Sequence, residues 1–349
     1  MSRGDAPAAR RTLRLRYPRA RMNSATASAL ERPLLGLTLG DPAGIGPEIA
    51  LAAARDESVR AVARLRLFGP ARLRPEWIEP ERGERALDVA WVDTGELGSF
   101  EHGRVQPACG RAALDALRTG VDWARARRVD ALVTAPVSKE ALHAAGERVE
   151  GQTELLARWD GATRYEMVAI AGRMRVMLLT RHMPLRQALE SVTRERVEHH
   201  LVLLDETLRD WGFERPRLAL AGLNPHAGEG GLLGREEIEV LEPALARVRS
   251  RGITVAGPVS PDSVFLGAAR GDFDAVLALY HDQAFIPVKL AGARHGLTVI
   301  AGLSFLRVSP AHGTAFDIAG KGLASPHNLV VALLQTAAWR SGRPMAVVE

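Results

Sequence analysis

Apolar residues along this chain fall in short unbroken runs, separated by longer amphipathic stretches and by clusters of glycine and proline. Residues 34–39 read as a short buried strand. It ends in Gly40-Asp41-Pro42-Ala43-Gly44-Ile45-Gly46-Pro47-Glu48, whose three glycines and two prolines mark a tight loop, and residues 49–55 continue as a helix. Helical periodicity over 111–127 leads to a strand at 131–133, the segment Thr134-Ala135-Pro136-Val137-Ser138-Lys139 and a helix over 140–145. Residues 167–170 and 176–180 read as paired strands, 217–223 and 275–280 as further strands, and 194–210, 235–249 and 328–340 as helices. Strands alternating with helices predict an α/β protein with a largely parallel sheet.

Three of these strands run into a histidine: His182, His226 and His281. Loops after the carboxyl ends of parallel strands are where α/β proteins build sites. Imidazole is a ligand for zinc and other borderline divalent metals, and three protein ligands leave positions open for substrate. The histidines lie 44 and 55 residues apart, so no local metal motif supports the grouping. Asp282 beside His281, and Asp262 in Ser260-Pro261-Asp262-Ser263, are carboxylates that fit as ligands or as acceptors orienting an imidazole.

Composition narrows the class. With 46% hydrophobic and 25% charged residues the chain is that of an ordinary globular protein, long enough for one large or two smaller domains. No run of about 18 apolar residues is present, and no membrane association is expected. The single cysteine, Cys109, excludes an intrachain disulfide and suits a reducing, cytoplasmic setting. The net charge of +5 is misleading, because residues 1–21 hold seven arginines against one acid and the rest is close to neutral. The head reads as a disordered basic extension, with a transit peptide as the alternative. The neutral body gives no reason to expect nucleic-acid binding. Only three of the 46 basic residues are lysines (Lys139, Lys289 and Lys321), and all three fall inside motifs. A lysine kept amid so strong an arginine bias suggests a role for a compact ammonium.

Asn224-Pro225-His226-Ala227-Gly228-Glu229-Gly230-Gly231 is a glycine-rich loop that lets backbone N–H groups approach a phosphate or substrate, although it matches no named nucleotide fingerprint. Gly151-Gln152-Thr153-Glu154 opens a helix, placing Gln152 and Thr153 where they reach a substrate oxygen or cap the helix. Lys289 and Arg307 are cations suited to an anionic substrate. Lys139, Asp262 and Asp282 are the candidates for proton transfer.

Together these segments resemble the PdxA family. The matching pieces are the Gly40–Glu48 loop, Ala135-Pro136-Val137-Ser138-Lys139, Arg181-His182-Met183-Pro184-Leu185, the Asn224–Gly231 loop, Tyr280-His281-Asp282-Gln283 and His312-Gly313-Thr314-Ala315. They run in order from about residue 34 to the C-terminus. The resemblance implies two α/β/α lobes around a central cleft, as in isopropylmalate and isocitrate dehydrogenases. Residues 34–135 with 300–349 would form one lobe and 136–299 the other, after an extension over 1–33. It implies a divalent metal (Zn2+ first, Mg2+ or Co2+ otherwise) on His182, His226 and His281. It also implies a homodimer with the active site at its interface, one metal ligand coming from the partner. Substrate would be held by Thr153, Lys289 and Arg307.

The loop from His312 to Gly322 resembles the adenine-side NAD loop of those dehydrogenases, and assigns NAD, or NADP, to His312, Thr314 and Asp317. The implied reaction oxidises and decarboxylates a phosphorylated hydroxy acid, foremost 4-phosphohydroxy-L-threonine to 3-amino-2-oxopropyl phosphate in pyridoxal phosphate biosynthesis. Threonate or erythronate 4-phosphate, or a cis-dihydrodiol carboxylate, are the alternatives, and a non-catalytic metabolite-binding protein is the alternative of another class. Two positions depart from the family pattern: Gln152 replaces a substrate-contacting histidine, and Thr298 replaces an asparagine.

Overall fold

The computed structural model describes residues 32–83, 87–292 and 295–342, so the arginine-rich head lies outside the described residues. Helices pack around one mixed sheet of twelve strands. In chain order these are β1 (Leu34–Thr38), β2 (Arg64–Gly69), β3 (Glu79–Pro80), β4 (Val89–Asp93), β5 (Ala131–Thr134) and β6 (Glu166–Ala171). They continue with β7 (Met174–Leu178), β8 (Leu218–Ala221), β9 (Val255–Val259), β10 (Ala275–Ala278), β11 (Leu297–Ala301) and β12 (Arg307–Pro310). The spatial order is β3-β4-β2-β1-β5-β12-β11-β6-β7-β10-β8-β9. Eight neighbouring pairs are parallel, and only β12-β11, β11-β6 and β6-β7 are antiparallel. The α/β expectation therefore holds. The first six places go to strands from residues 34–134 and to β12, the last six to strands from residues 166–301.

The predicted apolar runs became strands because helices cover both faces of the sheet. Every residue of β2, β5, β8, β10 and β11 is buried, which selects continuous rather than alternating apolar sequence. β2 breaks that rule and was not anticipated. Its Arg66 lies fully inside, ion-paired with Glu81 and hydrogen-bonded to the carbonyls of Leu65 and Leu87. β11 and β12 were missed for the same reason, since Thr298, Arg307 and Ser309 are polar and yet buried.

Helices Pro107–Arg125, Arg194–Asp210 and His327–Arg340 lie close to their expected positions. The expected 235–249 helix begins with a π-helical turn over Glu237–Leu241 and continues as Glu242–Ser250. The segment opening at His281 is a helix rather than a loop, His281–Ala291. Among the described residues no helix is long and apolar enough to cross a membrane.

Candidate active site

Strands β7, β10 and β8 are adjacent and parallel, so their carboxyl ends emerge side by side. The loops that follow carry His182, His281 and His226. The His182 and His281 rings stand with centroids 5.1 Å apart. The Nδ1 of His281 lies 2.7 Å from Asp282 Oδ1. A carboxylate only accepts, so Nδ1 donates to it and Nε2 is the ring nitrogen left to face a ligand. Asp282 is thus committed to orienting His281.

His182 is held by its neighbour. Arg181 donates to Glu154 at 2.6 Å, pairs with Glu166 at 3.2 Å and sits over the Tyr165 ring. The His182 pKa is lowered by burial first, then by Lys139 and His281. A neutral imidazole is the form that ligates a metal. The unfolded chain protonates this group before the folded one does, so stability from this source is lost as pH falls through the unfolded value of about 6.5. In Lys139→Met the His182 pKa is expected to rise, checked by NMR titration of metal-free protein. An unchanged value would show that Lys139 does not face the ring.

The third histidine is placed differently. Residues 226–230 all have positive φ, three of them (His226, Ala227 and Glu229) not glycine. This left-handed coil leaves His226 61% exposed, with Nδ1 4.0 Å from Asp262 Oδ2. Asp262 in turn accepts from Ser260 Oγ at 2.7 Å. Among the described residues no group of three or more His, Cys, Asp or Glu side chains is arranged to hold a metal. Within one chain the structure brings His182 and His281 together and leaves His226 apart. The loop after β8 turns its histidine outward. The first N–H of this loop, that of Asn224, is already taken by Glu237, which also accepts from Leu223 N–H, both at 2.8 Å.

The expected substrate residues fare better. A cavity of about 270 Å³ spans the junction of β12 with β11 and is lined by Lys139, Gln152, Thr153, Thr298, Arg307 and His312, among others. Its size is below the ~300–1,000 Å³ of drug-sized sites, so it suits a small ligand rather than a dinucleotide. Arg307, 3% exposed, is its anchor. It donates to Thr134 Oγ1 at 2.7 and 3.1 Å and to Gln152 Oε1 at 2.9 Å, and all of these partners are neutral. Burial lowers its pKa to about 9, with no carboxylate pulling the other way. The Gln152 amide is spent on Arg307 and, through Nε2, on the Ala135 carbonyl at 3.3 Å. Gln152 therefore holds Arg307 in place. Lys139 is the first residue of helix Lys139–Ala144, capped by Ser138, where the positive end of the helix dipole disfavours a cation. Because Lys139 lines the cavity and its charge is felt at His182, cavity and histidine pair adjoin.

Lys289 does not enter this cavity. It lines the next one, about 310 Å³, with Phe285, Asn328 and His312, so His312 borders both. The loop carrying His312, Thr314 and Asp317 packs on the first glycine loop. Ile45 N–H donates to the Thr314 carbonyl at 3.0 Å, and a Cβ at Gly44 would come within 2.9 Å of the Thr314 side chain. Lys321 donates to the Asp317 carbonyl at 2.7 Å. The Gly40–Glu48 loop thus serves as the bed of the candidate cofactor loop. Two adjacent imidazoles, one braced by a carboxylate, are a fitting donor set for a borderline divalent cation. The open cavity beside His312 is a fitting border for a dinucleotide.

Thr134, Arg181, Gln283 and Glu237 had not been singled out from sequence. Thr134, Arg181 and Gln283 stood inside quoted motifs, but nothing in one sequence says which way a side chain at or just past a strand end points.

The family model for "Pyridoxal phosphate biosynthetic protein PdxA" matches residues 49–336. A 4-hydroxythreonine-4-phosphate dehydrogenase from Desulforapulum autotrophicum is 38% identical over 325 residues, covering 88% of this chain and 95% of that relative. A D-threonate 4-phosphate dehydrogenase from Salmonella typhimurium is 38% identical over 321 residues, covering 87% and 98%. Among solved structures, a 4-hydroxythreonine-4-phosphate dehydrogenase from Klebsiella pneumoniae superposes with a TM-score of 0.79 at 37% identity, covering 88% of this chain and 99% of that one. With the family model matched over most of its length and relatives at this identity, the chain belongs to the PdxA family of dehydrogenases.

Proposed function

We propose that the protein oxidises a four-carbon hydroxy acid phosphate with NAD and a divalent metal, and that the substrate then loses its carboxylate as CO2. The observation that carries this reading is Arg307, a buried guanidinium with only neutral partners, facing a small cavity beside Lys139 and Thr153. A buried cation without a counter-charge is unfavourable until an anion arrives. A phosphorylated carboxylic acid brings two.

When bound, the metal on His182 and His281 supplies Lewis acidity at the alcohol and NAD supplies the hydride acceptor. The chain's own residues supply position, charge and protons. Arg307 and Thr153 fix one anionic end of the substrate, and Gln152 and Thr134 fix Arg307. Of the three proton-transfer candidates, Asp282 is spent on His281. Lys139, between the cavity and the imidazoles, is the group placed to exchange a proton with the reacting carbons and oxygen. The alcohol carbon gives up hydride and its oxygen a proton. The bond to the carboxylate then breaks, CO2 leaves, and the carbon left behind takes up a proton. Lys289, beside His312 and Asn328, faces the dinucleotide side.

The named relatives act on an aminated acid, 4-hydroxythreonine 4-phosphate, or on a hydroxylated one, D-threonate 4-phosphate. The sequence reading put the aminated acid first. The cavity favours the other: among the described residues lining it are Lys139 and Arg307 but no carboxylate to receive an ammonium group. An ammonium beside two cations is disfavoured, so kcat/KM is expected to be about tenfold or more higher on D-threonate 4-phosphate. NADH formation with Zn2+, NAD and each acid in turn checks this. No NADH with either acid would end the dehydrogenase reading for these substrates. Preference for the aminated acid would end the substrate choice alone.

A homodimer with a shared site is part of this reading. Leu232 (83% exposed), Leu290 (81%), Ile286 and Leu185 lie on the elements around the histidines, an apolar surface that favours a partner. A second copy would also supply the missing imidazole, from His226 of the partner subunit.

A further inference from the structure

The strand ends that carry the histidines are joined by two buried side chains that touch no candidate ligand atom. Thr180 is fully buried at the end of β7, and its Oγ1 donates to the Leu279 carbonyl beyond β10 at 2.8 Å. Gln283, 7% exposed in the first turn after His281, works in both directions. Its Oε1 accepts from Leu279 N–H at 2.7 Å, and its Nε2 donates to the Gly222 carbonyl beyond β8 at 2.8 Å. Leu279 is therefore held on its carbonyl by the β7 end and on its N–H by Gln283, which also holds the β8 end. These contacts continue the sheet across β7, β10 and β8 past the last ladder hydrogen bonds. His182 follows Thr180 by two residues, His281 follows Leu279 by two, and His226 follows Gly222 by four.

A fully satisfied buried polar network is rigid and admits one register. Its loss leaves Leu279 N–H and the Gly222 carbonyl without partners, so the loops would shift to recover them. The spacing of the imidazoles beyond these strand ends then depends on the Gln283 amide and the Thr180 hydroxyl.

We propose that Gln283 and Thr180 are positioning residues that fix the three strand ends from which His182, His281 and His226 project, and so set the His182–His281 pair for metal capture. This rests on the metal reading above. The test is zinc affinity of the metal-free protein, by competition with a chromophoric chelator, in the parent, Gln283→Met, Thr180→Val and Leu333→Ala. Leu333 is fully buried in helix His327–Arg340 and serves as a control for destabilisation alone. Direct partners of metal ligands change affinity by about 10–100-fold; Gln283 and Thr180 act one step further out, through the backbone, so Gln283→Met is expected at about tenfold and Thr180→Val at about fivefold. Leu333→Ala is expected to lower Tm and leave zinc affinity unchanged. Should Gln283→Met fail to fold, Thr180→Val, which replaces one hydroxyl by a methyl, decides. Zinc affinities of the folded variants within about twofold of the parent would overturn the proposal while leaving the metal reading intact. A parent that binds no zinc would overturn both.

Discussion

Arg307→Met is expected to raise KM for the phosphorylated acid by about two to three orders of magnitude, with a much smaller change in kcat, and to raise Tm. A hydrogen bond to a charged group contributes about 1.5–3 kcal/mol, and a guanidinium makes such bonds in pairs. Two of them, at the lower end of that range, amount to about 3–4 kcal/mol, or two to three decades at 1.36 kcal/mol each. With Arg307 assigned to the phosphate, the end of the substrate that does not react, the loss falls equally on ground and transition states and appears in KM. The stability change has the opposite sign. Arg307 is buried against Thr134 and Gln152 with no carboxylate partner, so the folded state carries an uncompensated charge. Replacing buried charges by apolar groups of similar volume often gains about 1–4 kcal/mol. Unpairing the Thr134 hydroxyl and the Gln152 carbonyl offsets part of that gain. Michaelis kinetics and a thermal melt on the same preparation check both signs. A variant with lowered Tm and unchanged KM would show Arg307 to be a packing residue, and the cavity would lose its claim to the substrate.

That stability is given up at Arg307 also explains what the sequence could not disclose. The α/β architecture was legible because β1, β5, β8 and β10 are covered on both faces and so spell short, wholly apolar runs. The same logic hid β12 and β11. A strand that opens with arginine and another with threonine at its second position are not spelled by an unbroken apolar run, and the cavity between them accounts for both. Candidate residues near strand ends were legible as a group, and six of them do line one cavity. Their division of labour was not. Gln152 was read as a substrate contact, yet its amide is spent on Arg307 and Ala135. Asp282 was read both as a carboxylate orienting His281 and as a proton carrier, and its contact with His281 Nδ1 favours the first. Such assignments depend on which partner lies within about 3 Å, and a chain read in one dimension carries no signal for that.

The histidines raise the same issue across two chains. The pairing of His182 with His281, and the isolation of His226 beside Asp262, favour a site completed by His226 of the partner subunit. Each of His281→Ala and His226→Ala is then expected to be almost inactive, with losses of about 10²–10⁴ from several kcal/mol of lost metal assistance. Mixing the two variants after reversible dissociation should restore activity. Half of the dimers formed at random are mixed, and each mixed dimer holds one site with His182, His281 and the partner's His226 all intact. Recovery should approach about a quarter of the parental activity. A His182→Ala and His281→Ala mixture should recover nothing, because every site in it lacks one member of the pair. Recovery in the second mixture would mean that the partner's contribution is one of that pair instead. Absence of recovery in both, with mixed dimers demonstrated by mass spectrometry, would mean that each site is built from one chain. The outward turn of His226 would then have to reverse when substrate or metal binds.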